Sequence, residues 1–199
     1  NVYYRNPYWT RENVRNSATS DLFNGQANLT YTFNKNISAV WRANTRMSNA
    51  TNVNYTNAFT RADDTYNSYS NRIVVSNYAD NSTFNRVINS DFLVNFDYEL
   101  TSKLDFSANI GNTVTDNYTK TNGVGGTELN VAGFYNYTNV LKPTLASGLD
   151  NRYLRFRNIA VFGNFDFNYG KFLNLNLTAR NDWTSRIDPG LYSVFYPSA

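Results

Sequence analysis

The sequence predicts an all-β fold, specifically an antiparallel transmembrane β-barrel segment. Three observations predict it. Six stretches alternate apolar and polar residues almost without a break, they fall into pairs joined by tight turns, and the polar side of each is built mainly from Asn, Thr and Ser. Successive side chains of a strand point to opposite faces, so such a stretch is apolar on one face and amide and hydroxyl on the other. A soluble sandwich also alternates, but its water-facing side is usually richer in Lys and Glu. An amide face suits a confined, wet lumen, and long strands apolar outside and polar inside are what a membrane barrel requires.

The elements follow in chain order. Over residues 22–33, Phe23, Gly25, Ala27, Leu29, Tyr31 and Phe33 alternate with Asn24, Gln26, Asn28, Thr30 and Thr32. That run is about twice the usual strand length of about five or six residues. Ile37, Ala39, Trp41, Ala43 and Met47 alternate with Ser38, Val40, Arg42, Asn44 and Arg46. Phe92, Val94, Phe96, Tyr98 and Leu100 form the apolar side of the third run, and Leu104, Phe106, Ala108 and Ile110 that of the fourth. Ile159, Val161, Gly163, Phe165, Phe167 and Tyr169 form the fifth; Leu173, Leu175, Leu177, Ala179 and Trp183 form the sixth. The exceptions are Val40, Leu93 and Phe162 on the polar side and Asn181 on the apolar side.

Three joins are tight: Asn34-Lys35-Asn36, Thr101-Ser102-Lys103 and Tyr169-Gly170-Lys171. Asn and Gly tolerate the positive φ that hairpin turns use. The other connections, about 48–90 and about 116–155, read as long loops, with Gly123-Val124-Gly125-Gly126 as a flexible loop tip. Short periplasmic turns and long extracellular loops are the barrel pattern, which places the Lys-bearing turns in the periplasm. Phe33, Tyr98, Leu100, Tyr169 and Phe172 flank the short turns, and Trp183, Tyr192 and Phe195 flank the other end, as interfacial aromatic girdles do. The segment before residue 20 breaks the alternation. Pro7 cannot donate to a ladder, and Thr10-Arg11-Glu12-Asn13 reads as a short helix or turn. It is expected to be a periplasmic connection from a preceding strand. The opening residues show no signal-peptide pattern, and Phe195-Tyr196-Pro197 reads as the start of a further strand. The expectation is an internal piece of a larger barrel.

Composition excludes several function classes. The chain has 199 residues, 34 of them Asn, with 16 Tyr and 14 Phe. Mean hydropathy is −0.54, and no stretch approaches the roughly 18 apolar residues of a membrane helix. A dispersed net charge of +3 gives no basic patch for nucleic acid. With no Cys and no His there is no thiol chemistry and no Ser-His-Asp triad. No enzyme activity, cofactor or metal is expected. Asp63-Asp64 is too small a set of oxygen ligands to argue for a cation, and the glycine run lacks the Lys-Ser/Thr of a phosphate loop. On the polar face, Arg42, Arg46 and Arg180 with Asp97, Glu99 and Asp182 are expected to form a lumen ion-pair network.

Three motifs carry a resemblance to a known family. Asn6-Pro7-Tyr8-Trp9 precedes the first strand, and Val131-Ala132-Gly133-Phe134-Tyr135-Asn136-Tyr137-Thr138-Asn139 follows in the second long connection. Leu177-Thr178-Ala179-Arg180-Asn181-Asp182-Trp183-Thr184-Ser185, with Tyr196-Pro197-Ser198, is the most specific. Together they resemble, in the expected order over about 6–199, the SusC/RagA-type TonB-dependent outer-membrane transporters. The resemblance implies a 22-stranded barrel with a plug and TonB box outside this sequence, in a Gram-negative outer membrane. It implies import of bulky nutrients, glycans or oligopeptides. The partners it implies are a SusD-like surface lipoprotein, the TonB complex acting through the plug, and membrane lipid. Tyr55, Tyr66, Tyr69, Tyr78, Tyr135 and Tyr137 would then contact substrate or lid. The alternative reading of the same pattern is a soluble or surface all-β binding or adhesion module.

Overall fold

The alternating runs become strands, and the strands outgrow the runs. The computed structural model describes residues 7–60, 73–144, 151–170, 172–188 and 190–199. In order these form α1 (Pro7–Asn13), β1 (Val14–Asn34), β2 (Ile37–Thr56), β3 (Phe59–Thr60), β4 (Ile73–Val74), β5 (Asn77–Thr101) and β6 (Leu104–Leu129). A 3-10 turn (Tyr137–Asn139) leads to β7 (Val140–Pro143), β8 (Arg152–Tyr169), β9 (Leu173–Thr184) and β10 (Ser193–Ser198). One sheet has the order β1-β2-β5-β6-β8-β9-β10, with β7 also paired to β6; β3 and β4 form a separate two-stranded ribbon. The pairing is antiparallel, as in a β-barrel wall. Among the described residues, no helix is long and apolar enough to cross a membrane.

Register matches like with like. Between β8 and β9, Ile159 lies opposite Trp183, Phe165 opposite Leu177, Phe167 opposite Leu175 and Tyr169 opposite Leu173. The alternate pairs are polar: Asn164 with Thr178, Asp166 with Asn176, Asn168 with Asn174. Directly opposed residues share a face, so each face keeps its chemistry from strand to strand. The tight joins hold this register. The Asn34 side chain accepts hydrogen bonds from the backbone N–H of Asn36 (2.8 Å) and Ile37 (2.9 Å). Gly170 sits at φ +58, which a side chain would strain. Lys171, assigned to the same turn, lies outside the described residues.

The chain folds as two compact units. One comprises Asn1–Leu22, Ser48–Phe84 and Thr119–Tyr153; the other comprises Phe23–Met47, Asn85–Tyr118 and Leu154–Ala199. In the second unit the apolar face is exposed: Phe23, Leu29, Tyr31 and Phe33 on β1, Leu173 and Leu175 on β9, and Phe195 on β10. Few apolar side chains are buried among the described residues (Ala39, Ala108 and Ala160 here), so this unit has no conventional core. On β8 the apolar face runs from Tyr169 to Ile159. Ten residues at about 3.3 Å each, on a strand tilted by about 40°, rise roughly 25 Å, the height of a barrel's lipid-facing band.

The exceptions to alternation have physical causes. A Cβ on Gly111 would meet the Phe162 ring at 3.0 Å and Leu93 at 3.2 Å, so these two polar-side intruders converge over the space a glycine leaves. Asn181 donates from Nδ2 to Ser193 Oγ at 2.9 Å, satisfying the polar intruder on the apolar face.

Three expectations are corrected in the first unit. The long connections begin later and end earlier than the alternation suggests, because β2 runs on to Thr56, β5 starts at Asn77, β6 continues to Leu129 and β8 starts at Arg152. Where both faces of a strand are polar there is no periodicity to read. The run 123–126 is not a loop tip but the end of β6. Gly126 pairs with Pro143 of β7, where a Cβ would lie 2.3 Å from the Lys142 carbonyl oxygen. The segment before β1 forms α1 and lies beside the C-terminal end of β2. Asn57 N–H donates to the Asn13 carbonyl at 2.9 Å, and Asn57 Nδ2 to Asn13 Oδ1 at 2.9 Å. The direction of β1 into its tight turn requires this placement.

Two outcomes are expected. Gly111→Val, whose Cβ would sit 2.7 Å from the Phe92 carbonyl oxygen, costs about 1–3 kcal/mol of overpacking in denaturant unfolding. In protein refolded into lipid bilayers, Leu29→Arg costs about 2–4 kcal/mol and Asn28→Arg far less. Equal costs for that pair sink the assignment of faces.

Candidate functional site

The polar face is a wall of amides bonded across strands. Asn109 donates to Asn95 Oδ1 (2.8 Å), and Asn95 donates in turn to Ser38 Oγ (3.2 Å), linking β6, β5 and β2. Asn176 on β9 donates to Asn164 Oδ1 on β8 (2.9 Å), and Asn164 donates to Asp166 Oδ2 (3.1 Å). A carboxamide donates and accepts at once, so it bonds its neighbour and still offers groups to water or a polar solute. That explains so poor a strand former on these strands.

The six charged residues expected to form one network are arranged in parts. Arg180 and Asp182, two apart on β9, form a close pair, Nη2 to Oδ1 at 2.8 Å with Nε donating to both carboxylate oxygens. The Arg180 guanidinium also lies 5.9 Å from the centre of the Phe162 ring. Arg42 pairs with Asp91 at 3.7 Å, a residue that alternation alone does not single out, rather than with Asp97 or Glu99. Asp97 and Glu99 instead line a cavity of about 650 Å³ with Lys35, Asn36 and Asp105, at the tight-turn end. Arg46 stands on β2 and is exposed.

The tyrosines belong to the first unit. Tyr55, at the end of β2, stacks on Tyr135 with ring centres 3.6 Å apart and planes 16° from parallel. The Tyr135 hydroxyl donates to Asn57 Oδ1 at 2.6 Å. Tyr78 is buried, and its hydroxyl donates to Asp80 at 3.4 Å. Burial first, and then the adjacent carboxylate, raise its pKa above the ordinary phenol value. Tyr137, in the 3-10 turn, leaves its ring exposed. Its helix is capped by Asn136, whose side chain accepts from Thr138 N–H at 2.9 Å. Tyr66 and Tyr69 lie outside the described residues, as do Asp63 and Asp64.

A charge cluster joins residues that the sequence pattern leaves apart. Asp116 of β6 is the hub: Arg155 and Arg157 of β8 each donate to its Oδ2 through Nε and Nη2, with both Nη2 distances 2.9 Å. Arg86 of β5 approaches Oδ1 at 3.7 Å. A signal for it exists in the sequence. Arg155 and Arg157 continue the odd-numbered face of Ile159 and Val161, but residue 155 reads as the end of a loop when alternation is the only guide. Among the described residues, no group of three or more Asp and Glu is placed to hold a metal ion.

This assembly defines a class of protein: an antiparallel β-barrel wall with an apolar exposed face and an amide-lined opposite face. Solved structures share the fold. The chain superposes on a chain of the RagAB peptide transporter with a TM-score of 0.77 at 14% identity, covering 96% of this chain and 20% of that one. The RagAB peptide importer gives 0.72 at 15% identity in its open-open state, over 96% of this chain and 20% of the other. In the closed-closed state it gives 0.76 at 13%, over 94% and 20%. The chain thus spans about a fifth of the length of these solved chains. No family model and no curated protein matches the sequence.

The Tyr55–Tyr135 stack generates a prediction. A double-mutant cycle with Tyr55→Leu and Tyr135→Leu is expected to give a coupling of about 0.5–1.5 kcal/mol in urea unfolding. Strict additivity of the two changes means that the stack contributes nothing.

Proposed function

We propose that this chain is a stretch of the barrel wall of an outer-membrane TonB-dependent transporter of the SusC/RagA type, importing bulky polar nutrients. The observation that carries this reading is the agreement of the fold, over 96% of this chain, with a chain of a peptide transporter. Chemistry supports it independently. A sheet with exposed Phe23, Leu29, Leu173 and Phe195 and few buried apolar residues needs lipid or a second layer against that face. The amide face suits passage of a hydrogen-bonding solute, and among glycans and oligopeptides the solved neighbours favour peptides. In this reading a SusD-like lipoprotein covers the long connections, and TonB acts through a plug carried elsewhere in the full-length protein. Of the four described tyrosines that the resemblance singled out, Tyr137 is the one with its ring exposed and so the one open to substrate or lid. Tyr55, Tyr78 and Tyr135 contribute through the surface they build. The chain itself performs no bond-breaking chemistry in this scheme.

The test is fractionation of cells producing the full-length protein, followed by electrophoresis with and without boiling. Outer-membrane recovery with a mobility shift on boiling is expected, together with uptake of labelled oligopeptides that stops when TonB is deleted. A soluble protein with no shift overturns the reading in favour of a surface or soluble binding module. A shift with unchanged uptake in the TonB-deleted strain keeps the barrel and removes energised import.

A further inference from the structure

We infer that the Asp116 cluster and the cavity beside it form a binding site for a phosphate-bearing membrane lipid, on the outward face where the apolar band ends. The inference rests on the membrane reading above. Its first support is position. On β8 the residues after Ile159 on the same face are Arg157 and Arg155. On β6 the series Leu104, Phe106, Ala108, Ile110 passes through Asn112 and Val114 to Asp116, and on β5 the series down from Leu100 passes through Ile88 to Arg86. Three neighbouring strands thus place a charged residue twelve to fourteen residues from the tight-turn end, roughly 30–35 Å along the barrel axis and so just past the apolar band of about 25 Å. That is the depth at which lipid headgroups lie.

The second support is charge. Three guanidiniums share one carboxylate, a net charge of +2 in the cluster. Asp116 is almost fully buried, while the Arg155 and Arg157 side chains are 52% and 51% exposed. Each of these two arginines spends two N–H groups on Asp116. A guanidinium carries five in a planar fork suited to phosphate, so three on each remain for a ligand. Asp116 fixes both forks side by side in advance, which lowers the ordering cost of binding an anion.

The third support is shape. Arg157 also lines a cavity of about 480 Å³ whose other walls include Ile159, Trp183, Ile187 and Tyr192. A cationic edge beside an apolar cavity fits a ligand with an anionic head and a hydrocarbon chain. A free phosphate ion has no use for the apolar wall, and a neutral lipid none for the arginines. The aromatic pair Trp183 and Tyr192 is of the type that favours the interfacial zone.

The experiment uses full-length protein in neutral detergent micelles, doped with phosphatidic acid or with phosphatidylcholine of the same chains. Bound lipid is counted by native mass spectrometry. The expected result is retention of phosphatidic acid over phosphatidylcholine, reduced at least fivefold in Arg155→Gln/Arg157→Gln. Removing both arginines leaves Asp116 buried and unpaired, so the triple variant with Asp116→Asn is measured in parallel and is expected to lose the preference while staying folded. Ile159→Ser, which keeps the charges, is expected to weaken retention of both lipids. Inorganic phosphate at millimolar concentration is expected not to displace the lipid. Displacement by phosphate alone, equal retention of the two lipids by wild type, or unchanged preference in the triple variant each overturns the inference. Mobility on boiling is read on the same samples. A heat-shifted barrel without lipid preference refutes this site alone, whereas loss of the shift in wild type refutes the membrane reading beneath it.

Discussion

Register is the constraint on which the rest of this structure depends. Along β8 and β9 twelve consecutive pairs run without interruption from Asn158 with Thr184 to Tyr169 with Leu173. Because side chains alternate with period two, a slip of one residue would put Leu175 opposite Asp166 or Asn168 and interleave hydrocarbon with amides on both faces. Neither face would then suit any single solvent. The tight turns carry a disproportionate share of the specification, since each sets the register of a whole hairpin. Asn34 does so by capping two backbone N–H groups with one oxygen, and Gly170 by adopting a φ that other residues resist.

The strand cores were legible in the sequence because two unlike environments impose a period. Leu29 and Asn28 are distinguishable by parity alone, and so are Leu175 and Asn176. The strand ends were not legible because the cause of the period disappears there. Residues 48–56 of β2 and 112–129 of β6 keep their ladders, yet no face has to be apolar, so Asn, Thr and Tyr fall on either side. The same loss hid the glycines at 123–126, whose purpose is visible only when the β7 backbone crosses Gly126. The misplacement of α1 had a different origin. The residues of α1 carry no mark of which end of the strand they adjoin; the direction of β1 into the Asn34 turn sets it.

The candidate site was legible in kind and not in pairing. Parity put Arg42, Asp97, Glu99, Arg180 and Asp182 on one face, but it says nothing about rotamers or about which strands are neighbours. Arg180 finds Asp182 because they are two apart on one strand. Arg42 finds Asp91 because β2 lies against β5 in the sheet order, a relation between segments separated by a long connection. The tyrosines show the same limit. The family resemblance implied rings available to a substrate or lid, whereas Tyr55 and Tyr135 lie against one another.

The two ionic groupings differ in what surrounds them, and that difference separates their roles. Arg180 and Asp182 stand among amides, where water and Asn side chains solvate charge, so their pairing is worth little to stability and leaves them free to meet a solute. The Asp116 side chain is nearly buried, with the guanidiniums of Arg86, Arg155 and Arg157 against it. A carboxylate there without partners would carry a severe desolvation cost, and three arginines overcompensate it. A structural ion pair needs one cation. The surplus of two, held at the edge of the apolar band, is what makes the cluster a receptor for an external anion rather than a clasp between strands.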